Sequence, residues 1–573
     1  MSNNRRDFLK TIGGGAATLG LGGMTFSSCA STSVDSVSLP EQVLEVSRNG
    51  AIVETRSGKV RGYRRNGIYT YKGIPYGGPT SGKNRFMAPT SPEPWTGIRN
   101  AMDWGPSAPQ PKTMGVYLNA PLKPDMSPFS RGFTYHGNDN SYGEDCLFIN
   151  VWTPGINDTG KRPVLVWLHG GGFLGGSSGA LDAYIGENLS KSGDVVVCSI
   201  NHRLNAFGYI NLGAIAGNRF KDSANAGMLD IVAALKWVKE NISDFGGDPG
   251  NVTIFGQSGG GAKVSILMAM PEAKGLFHKA MTISGATLNT GDYDQQAELA
   301  ELVLKEAELT ASRIDKLQEL PWMDFYQIAM KTKAILNKSA NNASRRFTPC
   351  LDHLHIPRHP FDPDAPVISS GIPMIIGNCT SEYSPSANDP EVEDISIEGV
   401  KEKLKNGMSS YGKALGEHAG EIVDAYVRCF PGKKPVEIWG FISWDIRSRA
   451  VLQAERQTAN GGAVYNYLFD WKTPLYDGRP RAYHNSDLAF WFNNTDVMDT
   501  ITGGGERPRR LSEKMSQALI HFARTGDPNH SGIPAWPSYD SKNGAVMIWN
   551  DDCEIQYDPD REARNTLHEL LDE

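Results

Sequence analysis

Asn251-Val252-Thr253-Ile254-Phe255-Gly256-Gln257-Ser258-Gly259-Gly260 is the stretch on which the fold is read. Its first half is short, β-branched and apolar, which suits a strand covered on both faces. Its second half sets glycines two positions before and two after a serine. Small residues there let a strand turn sharply into a helix and thrust the hydroxyl outward. A helical stretch over 263–270 follows and stops before Pro271. Upstream, residues 163–168 and 194–200 read as two more buried strands. Between them and the serine, residues 226–242 place Leu229, Ile231, Val232, Leu235, Val238 and Ile242 at helical spacing. Phe245-Gly246-Gly247-Asp248-Pro249 then ends that helix. Strand, crossover helix and strand together predict a doubly wound, mostly parallel α/β sheet. Polar stretches with helical periodicity over 292–342 and 391–430 predict helical excursions beside it.

The whole chain fits this reading. Its 573 residues could bury about three quarters of their unfolded surface, so neither disulfides nor a metal is needed to hold them together. With 57 basic and 64 acidic residues the formal charge is −7, which argues against a nucleic-acid binder, whose domain is normally basic.

The first residues read as an address. Arg5-Arg6-Asp7-Phe8-Leu9-Lys10 precedes an uncharged, Gly- and Ala-rich run over 11–28, the pattern of an export signal. The run is too short for a membrane-spanning helix, which needs about 20 apolar residues. The arginine pair resembles a twin-arginine signal, and Phe26-Ser27-Ser28-Cys29-Ala30 resembles a relaxed bacterial lipobox with Cys29 as the lipidated residue. Simple signal cleavage is the alternative. The expected organisation is a signal over 1–28, a polar tether over 29–47 and one catalytic domain over 48–573. The expected location is the periplasm or the bacterial envelope, with membrane contact only through a lipid on Cys29.

A second Gly-x-Ser-x-Gly, Gly175 to Gly179, follows no strand, so Ser177 is read as a loop residue and Ser258 as the nucleophile. A serine also needs a base, an acid to orient it, and donors for the oxyanion. His169-Gly170-Gly171-Gly172-Phe173 follows the strand ending at Leu168 and exposes backbone N–H groups. Gly171 and Gly172, with Gly259 after the nucleophile, are the expected oxyanion donors. No Cys/His spacing suits a metal. His353, His355 and His359 are interrupted by Pro357 and cannot share one helix face. No metal or cofactor is expected. Setting Cys29 aside, six cysteines remain, and their 15 pairings leave no disulfide assignable.

The long segment from Asn225 to Ser258 resembles the type-B carboxylesterase family, which includes bacterial para-nitrobenzyl esterases and the cholinesterases. Gly73-Ile74-Pro75-Tyr76, Glu144-Asp145-Cys146-Leu147 and Phe522-Ala523-Arg524-Thr525-Gly526-Asp527-Pro528 extend the likeness. The resemblance implies an α/β-hydrolase fold and cofactor-free cleavage of small-molecule carboxylic esters through an acyl-enzyme. In this family the acid follows a strand. Here residues 373–376 read as that strand, and Glu382 in Gly377-Asn378-Cys379-Thr380-Ser381-Glu382-Tyr383 matches the acid, although Ser381 and Tyr383 stand where Asp and Gly are usual. His484, in Ala482-Tyr483-His484-Asn485-Ser486-Asp487, sits in the family's context for the base; His521 lies in a helical stretch over 511–524.

The resemblance also points to Ser284 as a hydrogen-bonding residue behind the acid. Gln257 stands where many members carry Glu, so a negative charge beside the site is missing. Cys146 lacks the family's upstream cysteine and is expected to be unpaired, while Arg85 with Glu144 and Arg203 with Asp230 are expected as structural ion pairs. Two other readings share these motifs: a catalytically inactive binding relative, and a hydrolase acting on carbamates or amides. Nothing in the sequence assigns an oligomeric state.

Overall fold

The apolar run around Val252 forms the middle of a twelve-stranded sheet in the computed structural model, which describes residues 43–110, 141–339, 346–406, 414–444 and 446–571. The signal, most of the tether and Cys29 lie outside the described residues. Spatial order runs Leu44–Glu45 (β1), Tyr63–Arg65 (β2), Ile68–Pro75 (β3), Phe148–Thr153 (β4), Val196–Ile200 (β6), Arg162–Leu168 (β5), Gly247–Gln257 (β7), Lys279–Ile283 (β8), Met374–Cys379 (β9), Val464–Phe469 (β10), Ala545–Trp549 (β11) and Glu554–Tyr557 (β12). The strands from β6 to β11 in that order are parallel. The strands flanking them pair antiparallel. This is the mostly parallel α/β-hydrolase sheet expected.

Continuous apolar strands arise because both faces of the sheet are covered. Val164, Val166 and Leu168 of β5 enter one core, while Leu165 and Trp167 enter the other. Side chains alternate across a strand, so a run without polar breaks is what two-sided burial demands. The crossover helix α1 (Ala226–Asn241) matches the predicted span within a residue, and Gly246 in the left-handed region ends the turn after it. The helical excursions are present as α3 (Tyr293–Glu306), α4 (Trp322–Ser339), α5 (Ile397–Asn406) and α6 (Ala419–Cys429). Asp292 caps α3 by accepting the Gln295 N–H, the usual remedy for an unpaired helix start.

Among the boundaries that differ from the sequence reading, two bear on the elbow and the sheet edge. Helix α2 (Gly259–Leu267) begins at Gly259, four residues before the expected start, because contacts to β5 override the low helix propensity of three glycines. Leu44–Glu45, assigned by composition to the tether, pairs instead with Arg64 and Arg65 at the sheet edge, where Glu45 binds Arg64 at 3.0 Å.

The two expected ion pairs are buried and bidentate: Arg85 with Glu144 at 2.6 and 2.7 Å, and Arg203 with Asp230 at 2.9 and 2.6 Å. Fork geometry and added carbonyl acceptors offset the desolvation of such pairs. The six described cysteines are free thiols, Cys146 buried among them.

Candidate active site

Ser258 occupies the turn between β7 and α2 with φ 54° and ψ −121°, a region L-residues avoid. Its N–H donates to the Ile283 carbonyl at 2.8 Å, and its own carbonyl accepts from Ala262 at 3.0 Å, so both neighbours hold the strained turn. Close packing explains the glycine two positions after it: a Cβ on Gly260 would overlap the Leu168 carbonyl oxygen at the end of β5. Helix α2 thereby lies directly against the strand that feeds the loop of residues 169–173.

Gly171 and Gly172 adopt φ of 90° and 64° in that loop. Among the described residues, neither N–H has a hydrogen-bond acceptor. Gly259 is the first residue of α2, so its N–H has no intrahelical partner. A Cβ on Gly259 would overlap the backbone of Gly172, which shows how closely the loop and the helix start approach. Three candidate donors are thus gathered beside Ser258.

Glu382 and His484 each stand one residue beyond an isolated bridge between their loops. Ser381 pairs with Tyr483 across a parallel bridge and donates to the Ala482 carbonyl at 3.0 Å. This cross-brace sets Glu382 Oε2 2.5 Å from His484 Nδ1, while the Cys379 N–H donates to Oε1 at 2.9 Å. Both side chains are nearly inaccessible to solvent. The Trp444 ring covers the imidazole with centroids 4.5 Å apart.

His484 Nε2 faces the side-chain amide nitrogen of Gln257 at 2.9 Å. With Nδ1–H directed to Glu382, Nε2 carries the lone pair and the amide donates to it. Gln257 is fully buried, and its Oε1 has no partner among the described residues. Gln257 thus directly contacts the candidate base, a contact that sequence reading reduced to a missing charge.

Other candidates fall elsewhere. Ser284 Oγ is buried without a hydrogen bond among the described residues, and its N–H donates to Gly377 at 2.7 Å; the expected side-chain link to the acid is not made. Ser177 lies in a turn, apart from any strand-to-helix elbow. His355 bridges Glu272 at 2.7 Å and Asp222 at 2.8 Å, while His359 accepts from Thr290. Among the described residues, no group of three or more His, Cys, Asp or Glu side chains could hold a metal ion.

Asp487 is a residue that sequence reading passed over. It is fully buried, and its Oδ2 accepts from the Tyr467 hydroxyl at 2.8 Å and the Trp491 indole at 3.3 Å; Oδ1 is unpartnered among the described residues. Burial raises its carboxyl from the ordinary 3.8 to about 6; the Tyr467 hydrogen bond opposes this and the Glu382 charge adds to it. The folded state therefore holds this proton more tightly than the unfolded chain. Its favourable contribution is full below about pH 4 and is lost as pH rises through about 6. Asp487→Asn keeps the acceptor for Tyr467 and Trp491. It is expected to stabilise the protein at pH 8 by up to about 3 kcal/mol and to gain little at pH 4. Paired denaturant titrations of variant and parent at both pH values check this, and equal differences at the two would contradict it.

Residues 49–566 match the model of the carboxylesterase family. The para-nitrobenzyl esterase of Bacillus subtilis (strain 168) is 34% identical over 526 residues, which cover 90% of this chain and 98% of the relative. Phenmedipham hydrolase of Pseudarthrobacter oxydans is 33% identical over 531 residues, 90% of this chain and 99% of the relative. Among solved structures, a Clostridium hathewayi esterase that can hydrolyze aliphatic aromatic polyesters superposes with a TM-score of 0.75 at 34% identity, covering 92% of this chain and 99% of that one. The Geobacillus stearothermophilus carboxylesterase EST55 superposes with a TM-score of 0.72 at 31% identity, covering 90% and 99%. The chain belongs to the carboxylesterase family, and it is a carboxylic ester hydrolase acting on small-molecule esters.

Proposed function

We propose that the hydrolysis runs through an acyl-enzyme on Ser258, with His484 as general base and acid and Glu382 as its orienting carboxylate. The observation that carries this reading is the 2.5 Å contact of Glu382 with His484 Nδ1 beside the strained turn that presents Ser258. The contact fixes the tautomer whose Nε2 can accept a proton. In the forward step the Ser258 oxygen bonds to the ester carbonyl carbon as its proton passes to Nε2. The carbonyl oxygen becomes an oxyanion held by the N–H groups of Gly171, Gly172 and Gly259. Collapse breaks the bond to the alkoxy group, which leaves with the proton from His484. Water then repeats the sequence on the acyl-serine, releasing the acid and restoring the serine.

Gln257 belongs in this cycle. Its amide holds the lone pair of the resting imidazole, so proton transfer requires the serine hydroxyl to displace it. A neutral amide there adds no charge beside the base. Rapid mixing with excess p-nitrophenyl acetate is expected to give a burst of about one p-nitrophenol per chain before the steady state. A linear trace from the first turnover, with turnover too slow to hide a burst, would count against a covalent route.

We further propose export by the twin-arginine-like signal over 1–28 and lipid attachment at Cys29, on the sequence pattern alone. Mass spectrometry of the mature N-terminus in a Gram-negative host should find a diacylglyceryl cysteine. A free N-terminus just beyond the signal would remove the lipid attachment and leave export, whereas an uncleaved signal would remove both.

A further inference from the structure

Behind the oxyanion loop lies a group the mechanism above does not use. Lys263 is on α2, one turn beyond Gly259, and its side chain is completely buried. Helical side chains lean toward the N-terminus, which aims this one back at the helix start. Its Nζ donates to the His169 carbonyl at 2.9 Å, at one end of the glycine loop. At the other end it lies over the Phe173 ring, 5.7 Å from the centroid. One side chain therefore reaches both ends of the loop from the helix that supplies the third donor.

We infer that Lys263 is a positioning residue of the oxyanion hole: it ties the loop of residues 169–173 to α2 and so sets the N–H groups of Gly171 and Gly172 against that of Gly259.

The surroundings point the same way. His169 and His202 stack at 5.0 Å with planes 15° apart, both fully buried. Burial and the Lys263 charge hold both rings well below the ordinary imidazole range, so they remain neutral. Each Nδ1–H is directed at a backbone carbonyl, His169 to Gly170 and His202 to Arg203. Neither ring supplies a counter-charge, and no carboxylate is paired with Lys263 among the described residues. Burial pulls the lysine down to about 7. A methionine would fill the same space without desolvating a cation, so this residue is poorly explained by stability. It is well explained by the close contact between Gly172 and Gly259, which leaves the donors little tolerance in spacing.

This inference rests on the oxyanion hole proposed above, and its test separates the two. In Lys263→Met, kcat for a short-chain p-nitrophenyl ester is expected to fall by about 10- to 100-fold, because small displacements of positioned groups have effects of that size. KM should change less than about threefold, since the ground-state carbonyl makes little use of the hole. The inhibition constant of an alkyl trifluoromethyl ketone, whose hemiketal oxygen occupies the oxyanion position, should rise by the same factor as kcat/KM falls. Thermal stability should be unchanged or higher. The same proportionality is required of Lys263→Gln, so either variant decides the matter if the other fails to fold. A folded variant with kcat within twofold of the parent, or with undiminished ketone binding, overturns the role of Lys263. Failure of the parent enzyme to bind the ketone at all would instead overturn the oxyanion hole itself.

Discussion

Ser258→Ala is expected to leave a folded esterase whose kcat on a short-chain p-nitrophenyl ester is lower by about 10⁵- to 10⁶-fold. The size follows from what is removed. Without the hydroxyl there is no acyl-enzyme, and water must attack an ester that only the loop and helix donors still polarise. Those donors keep a residual acceleration of about 10³- to 10⁴-fold over water, so a small, ester-dependent rate should survive. The fold should survive too, because the backbone bonds to Ile283 and Ala262 hold the turn without the side-chain oxygen. A folded Ser258→Ala enzyme that retains even a tenth of parental kcat is incompatible with Ser258 as nucleophile.

Glu382→Gln is expected to lower kcat by about 10⁴-fold with little change in KM. The reason lies in a single backbone contact. The Cys379 N–H donates to Glu382 Oε1 at 2.9 Å, and a glutamine must offer its one oxygen there or strand that donor. Its NH₂ group then faces His484 Nδ1 and demands an acceptor. The imidazole responds by carrying its proton on Nε2, where it can no longer accept one from Ser258. Loss of the negative charge removes support for the imidazolium as well. Steady-state kinetics at pH 8 with thermal denaturation on the same samples check this. A drop of less than about tenfold would mean that Glu382 does not set the tautomer.

How far these residues could be read from the chain depends on how local their chemistry is. The elbow was legible because all its requirements fall within twenty consecutive residues, 251–270: an apolar strand, glycines around a serine, and a helix. The expected strands and α1 were legible because two-sided burial leaves unbroken apolar runs and one-sided burial leaves a 3.6-residue period. The acid and the base came only through resemblance, since 124 and 102 residues of chain separate the three, and Glu382 lies in a partly matching motif. Gln257 on the imidazole escaped because that contact joins positions 227 apart, as did the brace from Ser381 to Tyr483. The early start of α2 was hidden by its glycines, whose weak helix propensity is overruled by contact with Leu168. Lys263 did leave a signal: it is the one charged residue between Gly259 and Met270, in a stretch otherwise apolar or small. A lone cation in such a run is buried at a cost to stability and calls for a reason.

The most direct test is covalent capture. The parent enzyme is treated with a small excess of a fluorophosphonate and examined by intact mass and peptide mapping. The predicted result is one adduct per chain, on Ser258 in the peptide carrying Gly256-Gln257-Ser258-Gly259, with activity lost in proportion. Labelling of another serine, or full loss of activity with Ser258 unmodified, would contradict the mechanism.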